Sequence, residues 1–260
     1  MARKPGRGRW MARHGLPALM LGTLCSAPHG ADLPAPFSAS YHGSKYLLGS
    51  IEALLTLEHL GQHLRYTLRT KVSIVLLSYE LLDCSVMRVE GDIVYPLQHM
   101  HRDAHNPKRN TTTVFDWEQA RATVAFDDGR RVELHDLPRP TWDPMSLQVQ
   151  LMIDAKGGAL ETARSYRLLD AGRLREWPLR LRGIERVATQ HGPVDAIKVE
   201  RGDGKSLGFW LAPRYDYLPV RVQVGEVAVS LTSDPGAARR AIDSSLTTVP
   251  RCSPPIAAGP

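Results

Sequence analysis

The chain has 260 residues, of which 43% are hydrophobic and 23% charged, so it can bury a substantial core. Its net charge of +6 suggests a nucleic-acid partner, but residues 1–31 hold five arginine or lysine residues and no acidic residue. The rest of the chain is close to neutral, which argues against a nucleic-acid-binding surface on the folded body.

Residues 1–31 are typical of an export signal. A basic stretch precedes the short apolar run Leu16–Cys25, and small and polar residues follow it. The run is too short to span a bilayer, and no later segment is long and apolar enough to do so. We therefore predict a signal peptide over residues 1–31 and no transmembrane segment in the mature chain. The alternative is a disordered basic arm on a cytosolic protein.

From residue 32 to residue 233 the pattern is mainly that of β-strands. On either side of Gly61, the segments 51–57 and 64–72 alternate apolar with polar residues, which predicts a half-buried hairpin. About a dozen strands of ordinary length fit into this region. So many strands favour one mainly β domain over 32–233, built as a single strongly curved antiparallel sheet, either a half-barrel or a spiral.

One short helix is predicted within the domain. Asp143 is a good N-cap, Pro144 suits the first helical position, and Gly157 follows the apolar run. Apolar residues at 145, 147, 149 and 151–153 also fit a strand, but the start signal and the all-round apolar character favour a helix. We expect this helix to plug the open side of the sheet.

Residues 234–260 have a different composition. Asp234 and Pro235 predict the start of a short helix that ends near residue 242, and the Ser-, Pro- and Ala-rich remainder is predicted to be disordered. Cys84 in the domain and Cys252 in the tail are a candidate disulfide in an oxidising compartment. The alternative is a buried Cys84 and a free Cys252.

The sequence offers little sign of chemistry. His99 and His101 would share one face of a strand, with His105 close by, but their spacing matches no zinc site and a polar loop is the simpler interpretation. Nucleophile-elbow, phosphate-loop and zinc-protease motifs are missing from the sequence. We predict no catalytic residue, no metal and no cofactor, and hence a protein that is not an enzyme.

Aromatic residues gather in the C-terminal half of the chain. Their ordinary role is to fill the core and pack at strand ends. The alternative is that they form the rim of an apolar cavity inside a curved sheet. The candidate rim residues are Trp142, Trp177, Trp210, Tyr215 and Tyr217.

Several segments resemble a bacterial family of exported proteins, domain of unknown function 3108. Trp210–Pro213 followed by Tyr217–Arg221 is similar to its C-terminal signature, and Phe37–Leu48, Asp143–Leu147 and Gly192–Glu200 resemble earlier segments in the same order. The resemblance covers about residues 36–232. It implies a periplasmic protein with a curved antiparallel sheet, and it provides no catalytic residue.

Three functions are compatible with this sequence. The first is a periplasmic protein that holds an apolar or lipid-like ligand in its curved sheet and supports the cell envelope, by analogy of fold. The second is a structural or interaction protein of the envelope, with a protein partner and no ligand. The third is an enzyme of unrecognised type. A cavity inside the sheet would favour the first function, and a filled interior would favour the second.

Overall fold

The computed structural model describes residues 33–45, 49–75, 77–160, 163–234 and 252. The predicted signal peptide and almost all of the predicted tail lie outside these residues. The described part contains fourteen strands and one helix, which confirms a mainly β domain. In chain order they are β1 Phe37–Lys45, β2 Gly49–Leu60, β3 His63–Ile74, β4 Leu77–Glu90, β5 Ile93–Asp103, β6 Thr111–Asp116, β7 Arg121–Phe126, β8 Arg131–Leu134, α1 Pro144–Lys156, β9 Arg164–Asp170, β10 Arg173–Thr189, β11 Gly192–Arg201, β12 Leu207–Ala212, β13 Leu218–Val224 and β14 Val227–Leu231.

All fourteen strands belong to one antiparallel sheet. Strands β1 to β8 pair in sequence order, as do β9 to β14, and the pairing of β1 with β14 joins the two halves. The sheet is not closed, because β8 and β9 are its two edges. This arrangement confirms the predicted single curved sheet.

The hairpin of β2 and β3 shows how the sequence pattern specifies the sheet. Gly61 has a φ of +62°, a backbone conformation that glycine adopts without steric cost. Leu57 pairs with Tyr66 across the hairpin, and both are buried on the face that contacts the core. The alternate residues lie on the outer face, as the period of two requires.

Helix α1 lies inside the curve of the sheet. The Asp143 carboxylate accepts hydrogen bonds from the backbone N–H groups of Met145 and Ser146, and Pro144 occupies the first turn, which confirms the predicted start. Ten of its 13 residues are buried, because protein surrounds the helix on most sides. No helix in the described ranges is long and apolar enough to cross a membrane.

The segment between β8 and α1 connects the two edges of the sheet. Trp142 forms two backbone hydrogen bonds with β9, donating to Arg167 and accepting from Leu169, and Leu137 donates to Ala120 after β6. Leu137 and Leu169 are also buried in one cluster with aromatic and aliphatic residues of β6 and β7. The gap between the edges is therefore bridged by loop and helix rather than by a continuous ladder.

The hairpin of β12 and β13 contains a β-bulge. Trp210 pairs with Arg221 while Leu211 pairs with Pro219, so Val220 is the extra residue on β13. Proline fits here because a bulge interrupts the ladder of hydrogen bonds. The backbone carbonyl of Pro219 accepts a hydrogen bond from the buried hydroxyl of Tyr41 at 2.6 Å.

Candidate functional site

The inside of the curved sheet is filled by α1, and polar side chains fix the helix there. At its N-terminus the Ser85 hydroxyl donates to the second carboxylate oxygen of Asp143 at 2.7 Å, and both side chains are fully buried. The Asp143 carboxylate therefore accepts one bond from the sheet and two from its own helix. A buried charge is tolerated when it is hydrogen-bonded in this way.

The rest of the helix is tied to the sheet by Gln150 and Asp154. Gln150 accepts from the backbone N–H of Val94 at 2.7 Å, and its amide nitrogen donates to the carbonyl of Asp92 and to Asp154. Asp154 also accepts from the hydroxyl of Tyr166 on β9. Burial raises the pKa of Asp154, although these hydrogen bonds oppose the shift. The polar residues of the helix thus act as structural contacts.

A cluster of ionisable residues lies beside the N-terminus of α1. Asp83 on β4 pairs directly with His101 on β5, and Ser85 pairs with His99, so all four share the inner face. His101 Nδ1 lies 2.8 Å from Asp83 Oδ1, a hydrogen bond, whereas His99 Nε2 lies 3.7 Å from the same oxygen. His99 Nε2 is buried and has no hydrogen-bond partner in the described chain.

The charges in this cluster shift two pKa values. Burial alone would raise the pKa of Asp83, but the neighbouring His101 and His99 lower it to about 2. Burial alone would lower the pKa of His99, but the carboxylates of Asp143, Asp83 and Asp170 raise it. The carboxylates around His99 therefore favour its protonated form and outweigh the effect of burial.

This cluster contains residue types that are common in reactive sites, but its serine is not accessible to a substrate. Ser85 is fully buried and its hydroxyl is committed to Asp143, so it is not placed as a nucleophile. Across the described ranges, no group of three or more His, Cys, Asp or Glu residues is arranged to hold a metal. His99 and His101 lie on β5 and share a face, so the polar-loop interpretation was wrong for these two residues, and both lie next to the carboxylate of Asp83.

A cleft, called the outer cleft below, lies on the outer face of β1 to β5, opposite to α1. Its volume is about 910 Å³, within the range of small-molecule sites. One row of directly paired residues crosses its floor, and a second row runs beside it. The first row is Ser40, Leu54, Arg69, Leu82 and Arg102; the second is His42, Glu52, Lys71 and Glu80.

This outer cleft combines apolar surface with uncommitted cations. Leu54 is 39% exposed, which is unusual for a leucine in the middle of a sheet. The side chains of Arg69 and Lys71 form no hydrogen bond or ion pair with other described residues, whereas Arg102 is fixed by its bond to the carbonyl of Thr111. The cleft therefore offers apolar contact next to the cation of Arg69, which lies between two leucines, whereas Lys71 lies between Glu52 and Glu80 in its row.

The structure places Trp142 and Trp177 away from this cleft. Trp142 is a core residue beside Tyr166, with ring centroids 5.3 Å apart, at the start of α1. Trp177 on β10 is partly buried, and the guanidinium of Arg201 lies 4.7 Å from its ring centroid. Both residues follow the ordinary role of aromatics in packing.

Trp210, Tyr215 and Tyr217 occupy a different part of the sheet. The indole N–H of Trp210 donates to Glu185 at 2.7 Å, and the ring is covered by cationic side chains of the neighbouring strands. Tyr215 and Tyr217 lie in and after the 3₁₀ turn Pro213–Tyr215 and pack against the main core. The five predicted aromatics are therefore not brought to one rim, and none of them lines the outer cleft.

Cys84 and Cys252 form a disulfide, the first of the two alternatives considered for this pair. Their Cα atoms are 5.8 Å apart, and 168 positions of sequence separate them. Cys84 lies on the outer face of β4 beside Leu82, Val86 and Met100, all of which are buried. The bond therefore attaches residue 252 to the outside of the sheet, next to the outer cleft.

Comparison with known proteins shows the family of this chain. No curated protein matches the sequence significantly. The crystal structure of a beta-barrel-like protein of domain of unknown function DUF1849 from Brucella abortus is similar, with 11% sequence identity and a TM-score of 0.48 over 77% of this chain and 96% of that chain. Residues 45–232 match the family described as protein of unknown function, DUF3108. The chain, with its curved sheet and buried helix, belongs to the DUF3108 family.

Proposed function

We propose that this protein is an exported, non-enzymatic protein of the cell envelope that binds a lipid-like ligand with an anionic group. The outer cleft is the observation that carries this proposal. Leu54 and Leu82 supply apolar contact on its floor, while Arg69 and Lys71 supply positive charge in the same and the adjacent row. An amphiphile with an acyl chain and an acidic head satisfies both parts of such a surface.

The proposed ligand lies on the outer face rather than in the lumen of the sheet. Helix α1 fills the lumen, and its polar residues are hydrogen-bonded to the surrounding strands. A ligand inside the sheet would have to displace a helix whose burial and hydrogen bonds hold it in place. The outer cleft needs no such displacement.

Two observations support export to the periplasm. Residues 1–31 have the charge and apolar pattern of a signal peptide. The disulfide of Cys84 and Cys252 is a bond that persists in oxidising compartments and is rare in the cytosol.

Native mass spectrometry of the mature chain, purified from the periplasm and then incubated with palmitate or phosphatidylglycerol, tests the proposal. We expect a stoichiometric adduct whose occupancy falls about tenfold when Arg69→Ser and Lys71→Ser are combined, because charge-assisted contacts of this kind contribute about 1.5 kcal/mol or more. Arg175→Ala, on an exposed part of β10 outside the cleft, is the control for lost positive charge.

A reproducible mass without ligand after both incubations would overturn the proposal. The same conclusion would follow if Arg175→Ala reduced the adduct as much as the double substitution. In either case a second candidate takes precedence, a structural or interaction protein of the envelope with a protein partner. The filled interior favours that candidate over a carrier that holds its ligand inside the sheet.

A further inference from the structure

A second cleft lies on the face of β10 to β13, and its lining is strongly basic. Its volume is about 400 Å³. Five cationic side chains and one carboxylate line it, together with Trp210 and small or polar residues of the β11–β12 turn. The charged residues are Arg180, Arg182, Lys198, Glu200, Arg201 and Lys205.

Cross-strand pairing brings these charges together. Arg180 pairs with Glu200 and Lys198 pairs with Trp210, so these four residues lie on one face of the sheet. A register shift between Leu181 and Gly183 marks a bulge in β10 at this point. The side chain of Arg182 at this bulge also reaches Glu200.

Trp210 forms the floor of the cleft because position 208 is glycine. A Cβ at Gly208 would lie 3.0 Å from the Trp210 ring, so a larger residue would displace the indole. Lys198 and Arg221 lie 5.1 and 5.2 Å from the ring centroid. These cation–π contacts keep the two cations at the floor rather than extended into solvent.

Among the described residues, Glu200 is the carboxylate that Arg180 and Arg182 contact, whereas Lys198 also bonds to Glu185 and Arg201 bonds to Asp203. Glu200 Oε1 lies 2.7 Å from Arg182 Nε and 3.4 Å from Arg180 Nη2, and its other oxygen lies 3.6 Å from Lys198 Nζ. Arg180 Nε is buried and has no hydrogen-bond partner in the described part of the chain. A buried donor without a partner lowers the stability of the fold. A guanidinium group can donate two parallel hydrogen bonds to two oxygens of one phosphate.

We infer that this basic cleft binds a phosphate group. The inference is independent of the outer cleft, because the two clefts share no lining residue. The phosphate is held by the free donors of Arg180 and Arg182, with Lys205 closing the site from the β11–β12 turn. The group belongs either to a soluble phosphate ester or to a phospholipid head, since both present the same oxygens.

Isothermal titration of the full chain with inorganic phosphate and with glycerol 3-phosphate tests the site, and flotation with phosphatidylglycerol vesicles distinguishes the two sources. We expect Arg182→Ala to weaken binding about tenfold, through the loss of a charge-assisted hydrogen bond. We expect Glu200→Gln to strengthen binding, because it removes the carboxylate that competes with the ligand for the same guanidinium groups. Arg131→Ala is the matched control, because Arg131 is an exposed residue of β8 that forms an ion pair with Glu133.

Binding of the soluble phosphates, with opposite effects of the two substitutions, supports a soluble ester as ligand. Binding to vesicles alone, with the same opposite effects, supports a lipid head. The inference is overturned if neither probe binds, if Glu200→Gln weakens binding, or if Arg131→Ala weakens it as much as Arg182→Ala. Each of these results leaves the amphiphile test on the outer cleft unaffected.

Discussion

Charged side chains have more hydrogen-bond partners in the interior of the sheet than on its outer face. Under α1, each buried carboxylate has several hydrogen-bond donors: Asp143 accepts three bonds, and Asp154 accepts from Gln150 and Tyr166. On the outer face, Arg69 and Lys71 have no such partner among the described residues, and three cations share Glu200. The interior charges therefore hold the fold, whereas the outer charges are those that we propose to bind ligands.

The disulfide is an exception to this contrast between the two faces, because it lies on the outer face and its expected role is structural. Replacing Cys84 and Cys252 together by Ala should lower the free energy of unfolding by about 4 kcal/mol, because the bond closes a very long loop. Urea denaturation of the oxidised protein and of the double variant measures the difference. A loss below about 1 kcal/mol would mean that the bond adds little constraint to the unfolded chain.

The N-cap of α1 is the sharpest test of the interior. Asp143→Ala should lower the free energy of unfolding by about 3 kcal/mol, since it removes a helix cap and leaves the Ser85 hydroxyl without its partner. Urea denaturation measures this loss. Asp195→Ala is the control, because Asp195 is a highly exposed aspartate on β11. Equal losses for both variants would contradict a special role for the cap.

The histidine cluster should make stability depend on pH in both directions. The pKa of Asp83 is lowered to about 2, so its contribution of about 2 kcal/mol is present above its unfolded value of 3.8 and is lost as the pH falls through 2. The pKa of His99 is raised, so its contribution is present below 6.5 and is lost as the pH rises through the folded value. Both contributions are therefore fully present between about pH 4 and 6.5, and the raised pKa of Asp154 adds a separate decline in stability as the pH rises above its unfolded value of 3.8.

Chemical denaturation across pH 2 to 9 measures this profile. The groups that face His99 are Asp83 on β4, His101 on β5, Asp143 at the start of α1 and Asp170 at the end of β9. His99→Gln should remove the decline above pH 6.5 and leave the decline below pH 4 in place. A decline above pH 6.5 that persists in the variant would assign it to another group.

The smallest effects on stability are expected on the outer face. Arg69→Ser and Arg182→Ala should each change the free energy of unfolding by less than about 0.5 kcal/mol, because exposed or partly exposed cations contribute little to folding. The same denaturation experiment measures both variants. A loss of about 2 kcal/mol in either variant would mean that the cation is part of the folded scaffold, and the contrast between the two faces would fail at that position.

The hairpins and the helix could be predicted from the sequence because they depend on local patterns. Alternation around Gly61 identified β2 and β3, and the Asp143–Pro144 start identified α1. Counting from the turn at Gly61 also gives the pairing of Leu54 with Arg69, because this hairpin has no register shift. The contact between Leu54 and Arg69 in the outer cleft could therefore be predicted from the sequence.

The pairing of Asp83 with His101 could not be predicted from the sequence, because the register of this hairpin changes along its length. Counting from the turn at Gly91 would place Asp83 opposite Met100, on the wrong face for a histidine contact. A register shift between Val86 and Met87 moves the partner by one residue. Such a shift reverses which side chains share a face. Pro96 lies beside it and is typical of a bulge, but the proline alone does not give the position of the extra residue.

The pairing of β1 with β14 has a consequence for the order in which the chain acquires its structure. Residues 41–44 pair with residues 228–231, so the two halves of the sheet are joined only by the first strand and the last. During synthesis, which starts at the N-terminus, β1 has one unpaired edge until β14 has been made. Contacts of such high sequence separation form slowly and leave strand edges exposed to other chains. The joining of the two halves is thus expected to be a late step in folding.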